Sequence, residues 1–262
     1  MKPDTSDADE PRQIKSVHKA IDIVHAIKDR RGATLQELTD DLELTKSTIY
    51  TYLATLRQEG IVTQEDDGTY QLGYWVIPIS NYARNNTDLY RIGRDEIDEL
   101  ADQTRHTAHL VTESNGNQIV LYEAMGEDAV TSDYHLRMRE TPRQLYTSAA
   151  GKSILAFLPE ERRDELIART EFDDDSNAIS DRGTLREQLA EIRERGYAVN
   201  DEEEIRGTRS IGAPVRGPGE AVAGAVSVTA PKTRLQNAQF TDEVPELVME
   251  AANIIEVKIE TE

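Results

Sequence analysis

Residues 34–73, TLQELTDDLELTKSTIYTYLATLRQEGIVTQEDDGTYQLG, carry the densest structural signal in the chain. Thr34-Leu35-Gln36-Glu37 is a capping-box pattern, in which the Thr34 hydroxyl and the Glu37 carboxylate satisfy orphan amides at a helix start. Leu35, Leu38 and Leu42 then share one helical face. The spacing predicts a second helix from about Thr45, with Ile49, Tyr52, Leu53 and Leu56 inward. Gly60 stands where a C′ glycine ends a helix. Ile61-Val62 and Tyr70-Gln71-Leu72 flank Asp66-Asp67-Gly68, a hairpin-turn signal. Helix, turn, helix and wing in that order predict a module that reads duplex DNA, with the second helix in the major groove.

Lys46, Ser47, Thr48, Tyr50, Thr51 and Arg57 are left facing outward on that helix. Thr and Tyr hydrogen-bond phosphates or base edges, and a Thr methyl packs on a thymine methyl. Arg57 suits a phosphate contact or a salt bridge better than base reading. The wing tip, Glu65-Asp66-Asp67-Gly68, is acidic and would repel phosphate, so it is not expected in the minor groove. The alternative is a winged module whose solvated helix contacts protein instead.

At 262 residues the chain has room for two domains. It has no cysteine, which excludes disulfides, thiolate metal sites and a cysteine nucleophile. No apolar run reaches the roughly 18 residues of a membrane span. The start, MKPDTSDADEPRQ, is polar and acidic, unlike a signal peptide. These features predict a soluble, cytoplasmic protein with no membrane partner.

The formal charge of −20 runs against DNA binding, because phosphate neutralisation ordinarily supplies much of the affinity. Its distribution is uneven. Lys15, Lys19, Lys28, Arg30 and Arg31 face only Asp22 and Asp29 within residues 14–31. Acid collects in the N-terminal tail, the wing tip, Asp173-Asp174-Asp175 and Asp201-Glu202-Glu203-Glu204. Asp and Glu far outnumber Lys, and Arg is the preferred base. That is the composition of cytoplasms holding molar salt, so a haloarchaeal source is expected, an ordinary acidic protein being the alternative. With a Debye length near ~3 Å at 1 M salt, long-range attraction to DNA is screened. Close groove contacts, shape and dimerisation would then carry more of the binding.

Residues 1–13 read as a disordered acidic tail. Residues 14–74 read as the winged domain, opened by an amphipathic helix over Ser16–Ile27 with Val17, Ile21, Val24 and Ile27 on one buried face. Residues 75–104 read as a linker and dimerisation helix: an apolar segment broken at Pro78, then a helix striped by Leu89, Ile92, Ile97 and Leu100. Capping the next domain is the other use of that stripe. From about 105 to the C-terminus the texture is α+β. Strands flank Asn115-Gly116, a third is expected over 129–138, and two more near 209–215 and 221–229. Helices are expected at Ser148–Phe157, from Pro159 at its N1 position, from a Thr184-Leu185-Arg186-Glu187 capping box to Gly196, and over 241–260.

Gly151-Lys152-Ser153 imitates the end of a P-loop, but the glycine required five positions earlier is Tyr146. Ser148-Ala149-Ala150-Gly151 instead opens a helix with small side chains. Unobstructed amides at a helix start suit a small carboxylate, and tight helix–sheet packing is the equal alternative. His106, His109 and His135 do not form a convincing metal set. No Gly-x-Ser-x-Gly elbow or His-Glu-x-x-His pattern occurs, so no catalytic, metal or cofactor residue is assigned. Glu202-Glu203-Glu204 reads as a solvated acidic loop before it reads as an acid–base group.

Ser16–Val24, Leu42–Leu56, Ser148–Ala156 and Gly196–Gly207, with Ile211–Val215 after it, together resemble the IclR family of transcriptional regulators. Four matches in the right order make the resemblance specific, and it runs from about residue 14 to the C-terminus. It implies an α+β protein: an N-terminal winged helix-turn-helix, a linker helix and a C-terminal GAF-like effector-binding domain. It implies a homodimer, or a dimer of dimers, on palindromic double-stranded promoter DNA, controlled by a small organic effector, carboxylate or sugar-derived. It also implies an effector pocket at Leu145, Ala150, Gly151, Ile154, Asn200, Ser210, Ser227 and Thr229. Asn200 stands where an acid is common in the family, Ser210 replaces a small thiol, and Thr51 replaces a frequent Arg, so ligand and operator are expected to differ from those of other members. Control of a sugar or organic-acid catabolic operon is the expectation. An enzyme built on the C-terminal domain and a ligand-independent protein-interaction module are the rival readings.

Overall fold

The computed structural model of the protein describes residues 13–130, 141–172 and 179–261. The tail expected at 1–13 and the strand expected at 129–138 lie almost wholly outside those residues, as does Asp173-Asp174-Asp175. The chain forms two compact units, divided between Ala83 and Arg84.

The first unit contains α1 (Lys15–Arg30), α2 (Leu35–Asp41), α3 (Lys46–Gln58) and a hairpin of β1 (Val62–Gln64) and β2 (Tyr70–Leu72). The capping box forms as expected: the Thr34 amide donates to Glu37 Oε2 at 2.7 Å, and the Glu37 amide to Thr34 Oγ1 at 3.3 Å. Ile23, Ile27, Leu38, Ile49, Leu53, Leu56, Val62 and Tyr70 form one core. Full burial of each aliphatic side chain contributes about 1.5–3 kcal/mol of transfer free energy. Arg30 bridges Asp41, tying α1 to the end of α2.

The apolar stripe of α1 needs correction. Ile23 and Ile27 are the buried pair, while Val17 and Ile21 stay 51% and 49% exposed. The helix touches its own unit along one flank of its apolar arc. The other flank opens into a groove of ≈ 590 Å³, whose walls include Val17, Ile21, Val24, Leu56 and Ile61. Nor does Pro78 break the next segment. It sits third in the helix α4 (Val76–Asn85), where the first-turn amides need no intrahelical acceptor.

The second unit is a six-stranded antiparallel sheet between two helical layers. Its strands are β3 (Thr107–Ser114), β4 (Asn117–Met125), β5 (Arg143–Gln144), β6 (Ala198–Asp201), β7 (Thr208–Arg216) and β8 (Val222–Pro231), in the order β5-β4-β3-β8-β7-β6. On one face α5 (Asp88–Thr104) and the C-terminal helix Val244–Thr261 pack on Leu110, Ile211, Ala213, Val226 and Val228. On the other lie the helices Ala149–Phe157, Glu160–Arg169 and Arg182–Arg195, over Val111, Ala198 and Ala225. Asn115 and Gly116 adopt φ of 51° and 83°, the positive values that a two-residue hairpin turn requires.

Two helix starts differ from expectation. Asp181, not Thr184, caps Arg182–Arg195, its Oδ1 accepting from the amides of Gly183 and Thr184 at 2.8 and 3.0 Å. A carboxylate one turn earlier outcompetes a hydroxyl for the same orphan donors. Pro159 caps the preceding helix rather than opening it, and Glu160 is the first helical residue.

Candidate nucleic-acid interface and ligand cavity

The helix α3 is fixed at its start by Thr45, whose Oγ1 accepts from the Thr48 amide at 3.2 Å. Lys46, Ser47, Tyr50, Thr51 and Arg57 are exposed, and Thr48 is half-buried. Two hydroxyls are committed locally: Thr48 to Thr45 at 2.8 Å, and Thr51 to the Ser47 carbonyl at 2.9 Å. Thr51 also lines the apolar groove against α1. Ser47 Oγ also meets Thr45 Oγ1 at 3.1 Å, so the face with free polar reach is Lys46 and Tyr50, the latter 60% exposed. Arg57 Nη1 donates to Gln64 Oε1 at 2.9 Å, joining the end of α3 to the wing. At the wing tip Asp67 accepts from the Thr69 amide at 2.9 Å, which lowers its pKa below the ordinary carboxylate value.

A polar cavity in the second unit lies between the sheet and the helix that begins at Ala149. Its floor follows the register. Glu123 pairs with His109 and His109 with Ser227, while Ser210 pairs with Thr229 in the adjoining row. Val111, Gln118 and Val120 extend the floor. Leu110 opposes Tyr122 and Val111 opposes Val120, so Leu121 is an extra residue in β4. The bulge resets the alternation, turning Glu123 to the same face as Gln118 and Val120 and sending Tyr122 to the opposite face. There the Tyr122 hydroxyl donates to Asp98 of α5 at 2.8 Å. On the cavity side His109 Nε2 lies 3.2 Å from Glu123 Oε2.

The roof is the helix start. Ser148 caps it by accepting from the Gly151 amide at 2.9 Å, and its hydroxyl donates to Gln118 Oε1 at 2.6 Å. Ala149 and Ala150, the first two helical residues, line the cavity. The roof sits low because Gly212 lies beneath it: a Cβ there would stand 2.7–2.8 Å from the Ala149 and Ala150 backbone. Gly151 likewise packs on the Leu145 carbonyl, where a Cβ would come within 2.1 Å.

A further wall comes from the segment between β6 and β7. It is not the solvated acidic loop of the sequence reading, because each acid meets a base. Asp201 takes a two-pronged contact from Arg209 at 2.9 Å, Glu202 pairs with Lys232, Glu203 with Lys152 Nζ at 2.5 Å, and Glu204 with Arg143. Lys152 is 1% exposed, and burial pushes its pKa down, with Glu203 opposing the shift. Glu204, Ile205 and Arg143 line the cavity.

Of the residues expected to hold an effector, Ala150, Ser210, Ser227 and Thr229 come together on this cavity. Leu145, Gly151 and Ile154 are packed in the core behind it. Asn200 is a clamp: its Nδ2 donates to the Thr147 carbonyl at 2.8 Å and its Oδ1 accepts from the Glu203 amide at 3.2 Å. Sequence alone does not mark His109, Gln118, Glu123, Arg143, Ser148 or Glu204 as cavity residues, although Ser148 stands at the expected helix start.

Among the described residues no group of three or more His, Asp or Glu is placed to hold a metal ion. No described helix is long and apolar enough to cross a membrane.

Comparison with known proteins places these units. Residues 16–66 match the IclR helix-turn-helix domain, and residues 81–257 match the bacterial transcriptional regulator IclR C-terminal domain. The chain is 70% identical over its whole length, and the whole of the relative's, to a probable HTH-type transcriptional regulator ArcR of Halobacterium salinarum. It is 29% identical to the HTH-type transcriptional regulator BhcR of Paracoccus denitrificans, covering 94% of this chain and 87% of that one. The fold matches an IclR transcriptional regulator from Alicyclobacillus acidocaldarius, with TM-score 0.78 and 24% identity over 95% and 98% of the two chains. It also matches a Microbacterium hydrocarbonoxydans IclR homologue solved with 4-hydroxybenzoate, with TM-score 0.77 and 20% identity over 94% and 99%. The Halobacterium relative and the acidic, arginine-preferring composition together support a haloarchaeal origin. The chain belongs to the IclR family of transcriptional regulators.

Proposed function

We propose that the protein is a cytoplasmic, homodimeric regulator that binds palindromic promoter DNA through α3 and is controlled by a small organic acid held in the second unit's cavity. It acts on an operon for the breakdown of a sugar or organic acid. One observation carries the reading: a complete winged module with an open polar helix face shares a chain with a buried cavity of convergent donors. Lys46 and Tyr50 form the centre of the DNA-contacting face, Ser47, Thr48, Thr51 and Arg57 its margin. Ala150, Ser210, Ser227 and Thr229 supply effector contacts, with Leu145, Gly151, Ile154 and Asn200 shaping them from behind. The relative that holds 4-hydroxybenzoate supports an acid as the ligand class.

The effector works only through a difference in affinity between two arrangements of the protein. Mobility shift of the promoter fragment beside the protein's own gene, in molar KCl, tests the reading. A shift altered by a small acid is expected, and Ser227→Ala should blunt the response while leaving the unliganded shift intact. No shift at any salt concentration would point to the protein-contact alternative.

A further inference from the structure

The cavity is already nearly full. Its volume is ≈ 30 Å³, about the share of one water molecule in the liquid, whereas sites for organic ligands run to about 300–1,000 Å³. A lining side chain must therefore move when a ligand enters. The floor is hydrogen-bonded sheet and the roof lies against Gly212, so neither yields without breaking the core. Among the described residues the remaining wall is Arg143 with Glu204 and Ile205.

The Arg143–Glu204 contact is a guanidinium–carboxylate pair inside the cavity, with side chains 20% and 14% exposed. A guanidinium fork is the donor that suits a carboxylate best, and here it is held by one from the same chain. Next to it Gln118 is 2% exposed, and its Nε2 has no hydrogen-bond partner among the described residues. Its Oε1 is committed to Ser148, so the unused group is a donor on a side chain that lines the cavity. A buried donor left unpaired costs about 1–3 kcal/mol, a cost that an entering oxygen removes.

On the effector reading above, we infer that Arg143 is the anchor for the effector's carboxylate and that Glu204 is a built-in competitor. The incoming carboxylate takes the place of Glu204 on Arg143, and Gln118 Nε2 donates to a second ligand oxygen. Glu204 then swings out with residues 204–207, while Glu203 stays on Lys152 and Asn200 as the pivot. The same exchange excludes uncharged ligands, which offer Arg143 nothing to replace the carboxylate it gives up.

The test is calorimetric titration of the full chain in molar KCl with acetate, lactate, malonate and 4-hydroxybenzoate, and with acetamide and lactamide as neutral partners. If Glu204 holds Arg143 nine-tenths of the time, Glu204→Gln should tighten binding of at least one acid by about tenfold. Arg143→Gln should weaken it by at least as much, and Arg143→Lys, which keeps the charge and loses the fork, should fall between. Affinity for the amides should not improve in Glu204→Gln. Melting curves show which variants remain folded, and Arg143→Lys carries the test if Arg143→Gln does not. Equal acid binding by wild type and Glu204→Gln, or wild-type binding by a folded Arg143→Gln, overturns the assignment while leaving the effector reading intact. Failure of every acid to bind Glu204→Gln also overturns it. The effector reading itself falls only if uncharged sugars likewise leave wild-type operator binding unchanged.

Discussion

Glu123 reaches His109 across the β3–β4 ladder, Oε2 to Nε2 at 3.2 Å, because Leu121 inserts one residue between the paired positions 120 and 122. Neighbours in sequence thereby take opposite duties: Tyr122 is tied to Asp98 under α5, and Glu123 faces the cavity. Tyr122→Phe should lower stability by a few tenths to about 1 kcal/mol without changing effector affinity. Glu123→Gln should do the reverse, changing affinity with little effect on melting. Denaturant midpoints and ligand titrations on both variants check this, and a shared phenotype would mean that the two side chains do not separate.

The face proposed to contact DNA separates in the same way. Lys46→Ala and Tyr50→Ala remove exposed side chains and should weaken operator binding with the fold unchanged. For Lys46→Ala the dependence of log K on log salt should shallow by about one. Thr45→Ala instead removes the cap of α3 and should destabilise the first unit by about 1 kcal/mol. Binding curves across a KCl series, with thermal melts, distinguish the two effects. An unchanged salt slope in Lys46→Ala would remove that lysine from the phosphate contacts.

The Lys152–Glu203 pair predicts an alkaline signature. Lys152 has a lowered pKa in the fold, so the unfolded chain binds more protons between that value and the ordinary 10.5. Stability from this group therefore rises with pH through that window. Lys152→Met should flatten the rise in melts followed from neutral pH to about 10. Near neutral pH, Glu203→Gln strands the ammonium and should cost about 3–5 kcal/mol, whereas combining it with Lys152→Met should restore most of the loss. A Glu203→Gln protein as stable as wild type would show that the pair does not hold the segment.

Acid should loosen the winged unit's ties. Hydrogen bonds from Thr34 lower the pKa of Glu37, Arg30 lowers that of Asp41, and the Thr69 amide lowers that of Asp67. Their contributions are present above the ordinary values of 4.5 and 3.8 and are lost as pH falls through the lowered ones. Trp75, the single tryptophan, lies in this unit and reports its melting by fluorescence. Asp41→Asn should give a shallower loss below pH ~4 than wild type. An identical acid profile would show that the Arg30–Asp41 bridge contributes nothing to it.

The winged module was legible because its cues are local. Thr34 and Glu37 meet within one turn, Gly60 takes φ +71° after α3, and Asn115-Gly116 turns as its type demands. The cavity was only half legible. Ser210, Ser227 and Thr229 were implied by the family resemblance alone, and Glu123 depends on a bulge hidden in the apolar run Ile119–Tyr122. Glu203 and Glu204 read as solvated because their partners lie 51 and 61 residues away, at Lys152 and Arg143. On α1 the periodicity identified an apolar arc correctly, yet it carries no information on which flank the unit covers.

The burial of Arg143 and Glu204 sets them apart from the charges on α3. Counterions in a salt-loaded cytoplasm crowd around Lys46, and they barely reach a pair at 20% and 14% exposure. Drift in ambient salinity would loosen or tighten the grip on promoter DNA while the threshold metabolite concentration held constant. On that assignment the sensing contact would be shielded from salinity, and the proposed DNA contact would not.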